Sequence, residues 1–202
     1  MKTKNIVILT LFAAIAFTSK AQTESTSKFS VEVANGFGFS VVSNEGFPTR
    51  LATSRVQLIG SYELSKGLEI STGASLLGLN GNGFDSKGNF NQSRGVVRIP
   101  LMLNSTKPLN AKTNLLASGG VFASRILEDT FMYVNSIEEM NPDYLLAGIT
   151  ARLGISYHLY ANVAIGVAYS VQQEFISITK VDSNTDVGMG TNSLDLFLKF
   201  SL

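Results

Sequence analysis

Apolar and polar residues alternate one by one through eight stretches of this chain, a period of two that marks strands with one apolar face. The first, about Phe29–Val41, puts Phe29, Val31, Val33, Phe37, Phe39 and Val41 on one side and Glu32, Gly36, Gly38 and Ser40 on the other. The second runs from about Arg55 to Leu64, with Val56, Leu58, Tyr62 and Leu64 aligned, and the third covers about Leu68–Leu77. The fourth, about Arg94–Asn104, aligns Val97, Ile99, Leu101 and Leu103, and the fifth is about Asn114–Ser124. The sixth, Tyr144–His158, alternates without a break from Leu145 to Tyr157. The seventh is Val163–Gln172. The eighth, Ser193–Leu202, aligns Leu194, Leu196, Leu198, Phe200 and Leu202.

Short turns are expected at Ser65-Lys66-Gly67, near Pro108 and at Tyr160-Ala161. The stretch between the first two strands and the Gly-, Asn- and Ser-rich Asn80–Gln92 read as long polar loops, as do Arg125–Asp143 and Ser177–Gly190. Long and short connections thus alternate. In an up-and-down barrel the short turns are periplasmic and the long loops lie outside the cell. The predicted fold is all-β: an eight-stranded antiparallel up-and-down transmembrane β-barrel over residues 29–202, in the cell outer membrane.

A cleaved signal peptide and a disordered segment are expected ahead of the barrel. Lys2 and Lys4 form a basic start, Ile6–Phe17 is apolar apart from Thr10, and Ser19-Lys20-Ala21 fits a cleavage site. This assigns 1–21 to the signal and 22–28 to a disordered polar segment. The apolar run is shorter than the roughly 20 residues of a membrane helix. About 180 residues then remain, enough for one domain.

Alternation alone does not distinguish a membrane barrel from a soluble one, whose apolar face points inward. Charge does. The apolar faces of the eight strands hold no charged residue, whereas the opposite faces hold Glu32, Arg55, Glu63, Glu69, Arg94, Arg98, Arg152, Asp195 and Lys199. A Lys or Arg facing mid-bilayer lipid costs about 2–4 kcal/mol. The polar faces are otherwise rich in Ser, Gly and Ala, which suits a crowded lumen. Phe29, Tyr62, Tyr157 and Phe200 fall at predicted periplasmic strand ends, and Phe39 and Tyr169 at the other end, as interfacial aromatics do. The nine inward charges are therefore expected to form a structural network in the lumen. Glu63 and Glu69 should face each other across the first tight turn, which requires a cation nearby.

The whole chain has a net charge of +1, and the signal contains Lys2, Lys4 and Lys20, so the mature chain carries about −2. No basic stripe is left for nucleic acid. The absence of cysteine excludes disulfides and thiolate chemistry.

Three segments carry a resemblance: Lys20-Ala21-Gln22, Val97-Arg98-Ile99-Pro100-Leu101-Met102-Leu103, and Leu194-Asp195-Leu196-Phe197-Leu198-Lys199-Phe200. With them the chain resembles the small outer-membrane β-barrel proteins of the PorT-like and OmpX-like type found in the Bacteroidetes. The resemblance implies contact with outer-membrane lipid and a non-enzymatic, structural or accessory role in envelope integrity or secretion, with other envelope or secretion proteins as partners. Leu202 departs from the terminal aromatic common in that family; Phe200 is the nearest aromatic.

Other features invite chemistry but weigh less. Pro100 within a closed ladder predicts a bulge or bend. His158 is the only histidine and sits beside a turn, with no G-x-S-x-G motif to accompany it. Asp182–Gly188 resembles a calcium loop, but Val187 and Ser193 stand where the EF-hand requires Gly and Glu. No catalytic, cofactor or metal residue is assigned. Arg125–Asp143 combines Glu128, Asp129, Glu138 and Glu139 with Phe131 and Tyr133. It is expected either to be a partner-binding loop or simply to extend a hairpin above the membrane. A binding or adhesion protein acting through its outer loops is thus the alternative function, followed by a small pore or a lipid-modifying enzyme.

Overall fold

The computed structural model describes residues 28–44, 47–140, 145–177 and 189–202. The predicted signal, residues 22–27 and the calcium-like loop lie outside them. The strands are β1 (Phe29–Asn44), β2 (Phe47–Ser65), β3 (Leu68–Asp85), β4 (Gly88–Pro108), β5 (Thr113–Tyr133), β6 (Ile137–Met140), β7 (Leu145–Tyr160), β8 (Val163–Ser177) and β9 (Met189–Ser201). All pairings are antiparallel. The sheet runs β4-β3-β2-β1-β9-β8-β7-β5 and closes because β4 also pairs with β5. Eight strands form the wall, and β6 is a short addition to the upper part of β5.

The registers fix the shape of the cylinder. Paired residues lead from Phe29 through Tyr62, Ile70, Leu103, Gly119, Ala151, Val171 and Asn192 back to β1 at Phe39. The wall closes with a stagger of ten residues, which for eight strands means a tilt of roughly 40°. At that tilt the outward residues of β7 from Leu145 to Tyr157 cover roughly 30 Å of height, enough to cross a hydrocarbon core.

Each predicted strand is present with its predicted parity. Val56, Leu58, Leu76, Ile99, Leu101, Leu153, Ile155, Leu194 and Leu196 all point outward and are exposed. Phe29 stacks against Tyr62 with ring centroids 4.9 Å apart at one rim, and Arg50 lies 4.0 Å over the Phe39 ring at the other. Gly67 has a φ of 77°, as the first tight turn requires.

The outer connections differ from expectation. The first is not long: β1 and β2 stay paired up to Asn44 and Phe47. Asn80–Gln92 is not a loop but the continuation of β3 and β4, paired from Asn80↔Ser93 to Asp85↔Gly88. Its composition disfavours strands, but β4 is held from behind by β5 and offers a ready ladder. One glycine there serves packing: a Cβ on Gly83 would strike the Phe90 ring. Arg125–Tyr133 likewise continues β5, and β6 folds back on it. The result is a four-stranded sheet, β3-β4-β5-β6, standing above the barrel.

Two irregularities shape β4 and β5. At Pro100 there is no bulge. The β3–β4 pairing is interrupted between Thr72↔Leu101 and Ser75↔Arg98 but resumes in the same register. Proline has no N–H to donate, and the Thr72 hydroxyl donates to the Pro100 carbonyl at 2.8 Å. The bulge lies higher, where Gly95↔Glu128 is followed by Val96↔Ile126, leaving Leu127 as the extra residue. Leu127 and Glu128 are both exposed. Inward parity on β5 therefore switches from Ser124 and Ile126 to Asp129, Phe131 and Tyr133.

Gly120 sits where a Cβ would run into the Leu101 carbonyl and Met102 backbone across the ladder. Gly120→Val is expected to prevent barrel closure. The fast-migrating band that folded barrels show on gels before boiling should disappear, and Val121→Ala on the outer face should retain it.

Candidate functional site

The lumen is filled in layers, each set by the parity of the strands. At the periplasmic end Lys199 bonds Glu69 through both carboxylate oxygens at 2.6 Å. Glu63 and Glu69 are opposed as expected, and Lys199 is the cation that relieves them. Above, Arg152 pairs with Glu32 at 2.6 Å and its guanidinium lies 4.5 Å over the Phe197 ring. Arg55 pairs with Asp195 at 2.5 Å, and Ser170 and Ser193 also donate to Asp195. Next comes Arg98, 1% exposed, bonded to Glu174 at 2.9 Å and to Gln172. Ser124 donates to the same Glu174 carboxylate at 2.8 Å. These buried pairs use charge-assisted bonds in a low-dielectric interior, where an ion without its partner is costly.

The upper lumen departs from the expected polar interior. Val42, Leu51, Leu77, Leu79, Val96, Ile126, Leu146 and Met189 form one buried apolar cluster. They come from seven of the eight wall strands and make a collar above Arg98. Over the collar Arg94 pairs with Asp129 at 2.5 Å, and Gln92 donates to the same carboxylate at 2.8 Å. Phe90 then packs edge-on against Phe131 at 5.2 Å and near Tyr133 at 5.8 Å. A space lined by the lower ion pairs measures about 20 Å³, room for one water.

All nine predicted lumen charges point inward, and among the described residues all but Glu63 join an ion pair between side chains. Sequence reasoning missed Glu174, because the seventh strand was ended at Gln172. The alternation Ser170, Gln172, Glu174 was the available signal. Among the six residues of the predicted binding loop, Asp129 and Phe131 are buried and belong to the lumen. Tyr133 is half-buried and donates to Asp85 at 2.6 Å. Glu138 pairs with Lys87 at 2.7 Å. Glu128 and Glu139 are exposed.

That Tyr133 bond holds the Asp85 carboxyl below its ordinary value. Backbone N–H bonds from Lys87 and Gly88 add to the effect, and some desolvation opposes it. His158, in the periplasmic mouth, bonds Asn114 at 2.8 Å. Among the described residues no group of three His, Asp or Glu could hold a metal ion.

A wall apolar outside, ion-paired inside and closed without an edge defines a membrane-spanning β-barrel of the outer-membrane class. Among the described residues the exterior between the rims is apolar except for neutral Asn35, Ser54, Thr72 and Gln173, and Arg125, paired with Leu145, stands at its upper edge. No family model and no curated protein matches the chain. Among solved structures it is similar to Neisserial surface protein A, with a TM-score of 0.58 and 12% identity, over 89% of this chain and 100% of that one. Ail of Yersinia pestis gives 0.47 at 15% identity, over 86% and 99%. OprG of Pseudomonas aeruginosa gives 0.43 at 12%, over 88% and 98%. The likeness to the Neisserial barrel is one of fold, and the barrel is an outer-membrane protein in contact with lipid.

Two outcomes are expected. Glu174→Ala leaves Arg98 buried and unpaired and should lower unfolding stability in urea by about 3–5 kcal/mol, whereas Lys87→Ala on the exposed pair should cost under about 1 kcal/mol. For Asp85, a lowered folded pKa gives the hairpin tip stability that is present above the unfolded value and lost as pH falls through the folded one. Tyr133→Phe should raise the Asp85 midpoint towards that of an ordinary carboxylate, read by carboxyl carbon NMR.

Proposed function

We propose that this protein is a non-enzymatic, non-conducting outer-membrane barrel whose working part is the sheet it raises above the membrane. The observation that carries this reading is strand length. β4 and β5 are 21 residues each, about twice the 9–11 residues that crossing requires. The excess is ordered, and its inner face is sealed by Phe90, Phe131 and the Arg94–Asp129 pair. Its outer face leaves Phe84, Met132, Val134 and Ile137 exposed. Such a side chain set on a rigid base suits binding outside the cell. Against a pore stands the apolar collar, since a dry constriction blocks ions.

A structural or accessory role in envelope integrity or secretion is the second reading. The dense ion pairing of the lumen supports it, and in it the same sheet would meet another envelope protein.

Purified barrel in planar bilayers is expected to give no discrete conductance steps. In intact cells, a photo-crosslinker in place of Ile137 should yield adducts. Replacing residues 127–143 by a short turn should leave the barrel inserted and the envelope as detergent-resistant as before. An absence of adducts, with a detergent-sensitive envelope in the shortened variant, would assign the structural role instead.

A further inference from the structure

The outward face of the raised sheet is a grid fixed by the registers. One row across β3, β4, β5 and β6 reads Asn82, Asn91, Met132, Ile137. Below it stand Asn80, Ser93, Thr130 and Glu139; above it, Phe84 faces Asn89. Four asparagines thus share one face of two adjacent strands, though asparagine is depleted in strands. A residue type that opposes its local structure marks a site kept for another reason.

The chemistry of the face is specific. Asn91 Nδ2 donates to Asn82 Oδ1 at 2.8 Å. That bond leaves Asn82 Nδ2 as a donor and Asn91 Oδ1 as an acceptor on two exposed residues. Phe84 is 60% exposed one row away. A shallow groove of about 410 Å³ runs over Asn82, Gly83, Asn89 and Asn91 to Met132 and Val134, and Phe90 and Tyr133 of the inner parity also line it. Neutral donors and acceptors beside an aromatic ring and an apolar strip match a molecule with hydroxyls on its edges and C–H groups on its faces. Glu128 and Glu139 stand exposed beside the grid, while Asp85 and Glu138 take the inner parity and are held there by Tyr133 and Lys87. The two exposed carboxylates repel sulfates and uronates. Protein interfaces concentrate Tyr, Trp and Arg, and the grid has none of them.

We propose that this face binds a neutral oligosaccharide, its hydroxyls on Asn82, Asn89 and Asn91 and a pyranose ring on Phe84. The proposal rests on the reading that the raised sheet is the binding surface. The sugar could come from the cell's own lipopolysaccharide or from outside.

The test uses the full barrel in detergent micelles on an array of neutral hexose and N-acetylhexosamine oligomers, with sulfated and uronate glycans alongside. Core oligosaccharide released from the cell's own lipopolysaccharide forms a separate arm, which tells the two sources apart. Binding to neutral oligomers is expected. Phe84→Ala, and Asn82→Ala with Asn91→Ala, should each weaken it about tenfold, with the folded gel band unchanged. No retention of any neutral glycan, equal retention by the variants, or preference for sulfated glycans would overturn the proposal. A blank array together with protein adducts at Ile137 would overturn the sugar and leave the binding surface standing.

Discussion

In the hydrocarbon layer an unpaired backbone N–H or C=O has no water to bond with. β1 must therefore meet β9, and β4 must meet β5, before any side-chain contact counts. Closure of eight strands with a stagger of ten residues sets the tilt, and with the tilt the bore. A bore that narrow brings side chains from opposite walls within reach of one another. The Arg152–Glu32 and Arg98–Glu174 pairs are consequences of that geometry: each links residues far apart in sequence and on different strands. The wall allows its own exceptions only where it can repair them, as at Pro100, whose carbonyl takes the Thr72 hydroxyl.

The interior combines two ways of excluding water. Ion pairs thread the lower lumen between Ile59, Met102, Phe122 and Phe197, and each buried charge there needs its partner. The collar from Val42 to Met189 fills the upper lumen with apolar side chains alone. Together they make the barrel a solid support. On one side of it β3, β4 and β5 continue upward, and the bulge at Leu127 lets them do so. By adding one residue to β5, the bulge turns Asp129, Phe131 and Tyr133 inward. These side chains then cap the lumen and stiffen the raised sheet from behind, while its front face stays open to solvent.

The raised sheet is where the proposed binding would take place. Its front carries neutral amides, an exposed ring and an apolar strip, with the Glu128 and Glu139 carboxylates beside them. Likeness to the Neisserial barrel is a likeness of fold and does not say what such a face does, because one fold serves many functions. The front and back of the sheet depend on each other: Asp85, at the hairpin tip, is held by Tyr133 on the inner side.

The sequence by itself determined which residues face lipid and which face the lumen. A period of two allows only two sides, and the cost of charge in lipid decides between them, so Glu32, Arg55, Arg98, Arg152, Asp195 and Lys199 were legible as inward. Their partners were not. Which carboxylate meets which guanidinium depends on the stagger with which the sheet closes, and no local pattern encodes that. The raised sheet was hidden for two further reasons. Asn80–Gln92 has loop composition and becomes strand only because β5 supports β4 from behind. Phe131 and Asp129 were read as loop residues because one extra residue reversed the parity of β5, and only the pairing of Gly95 and Val96 with their neighbours reveals where that reversal falls.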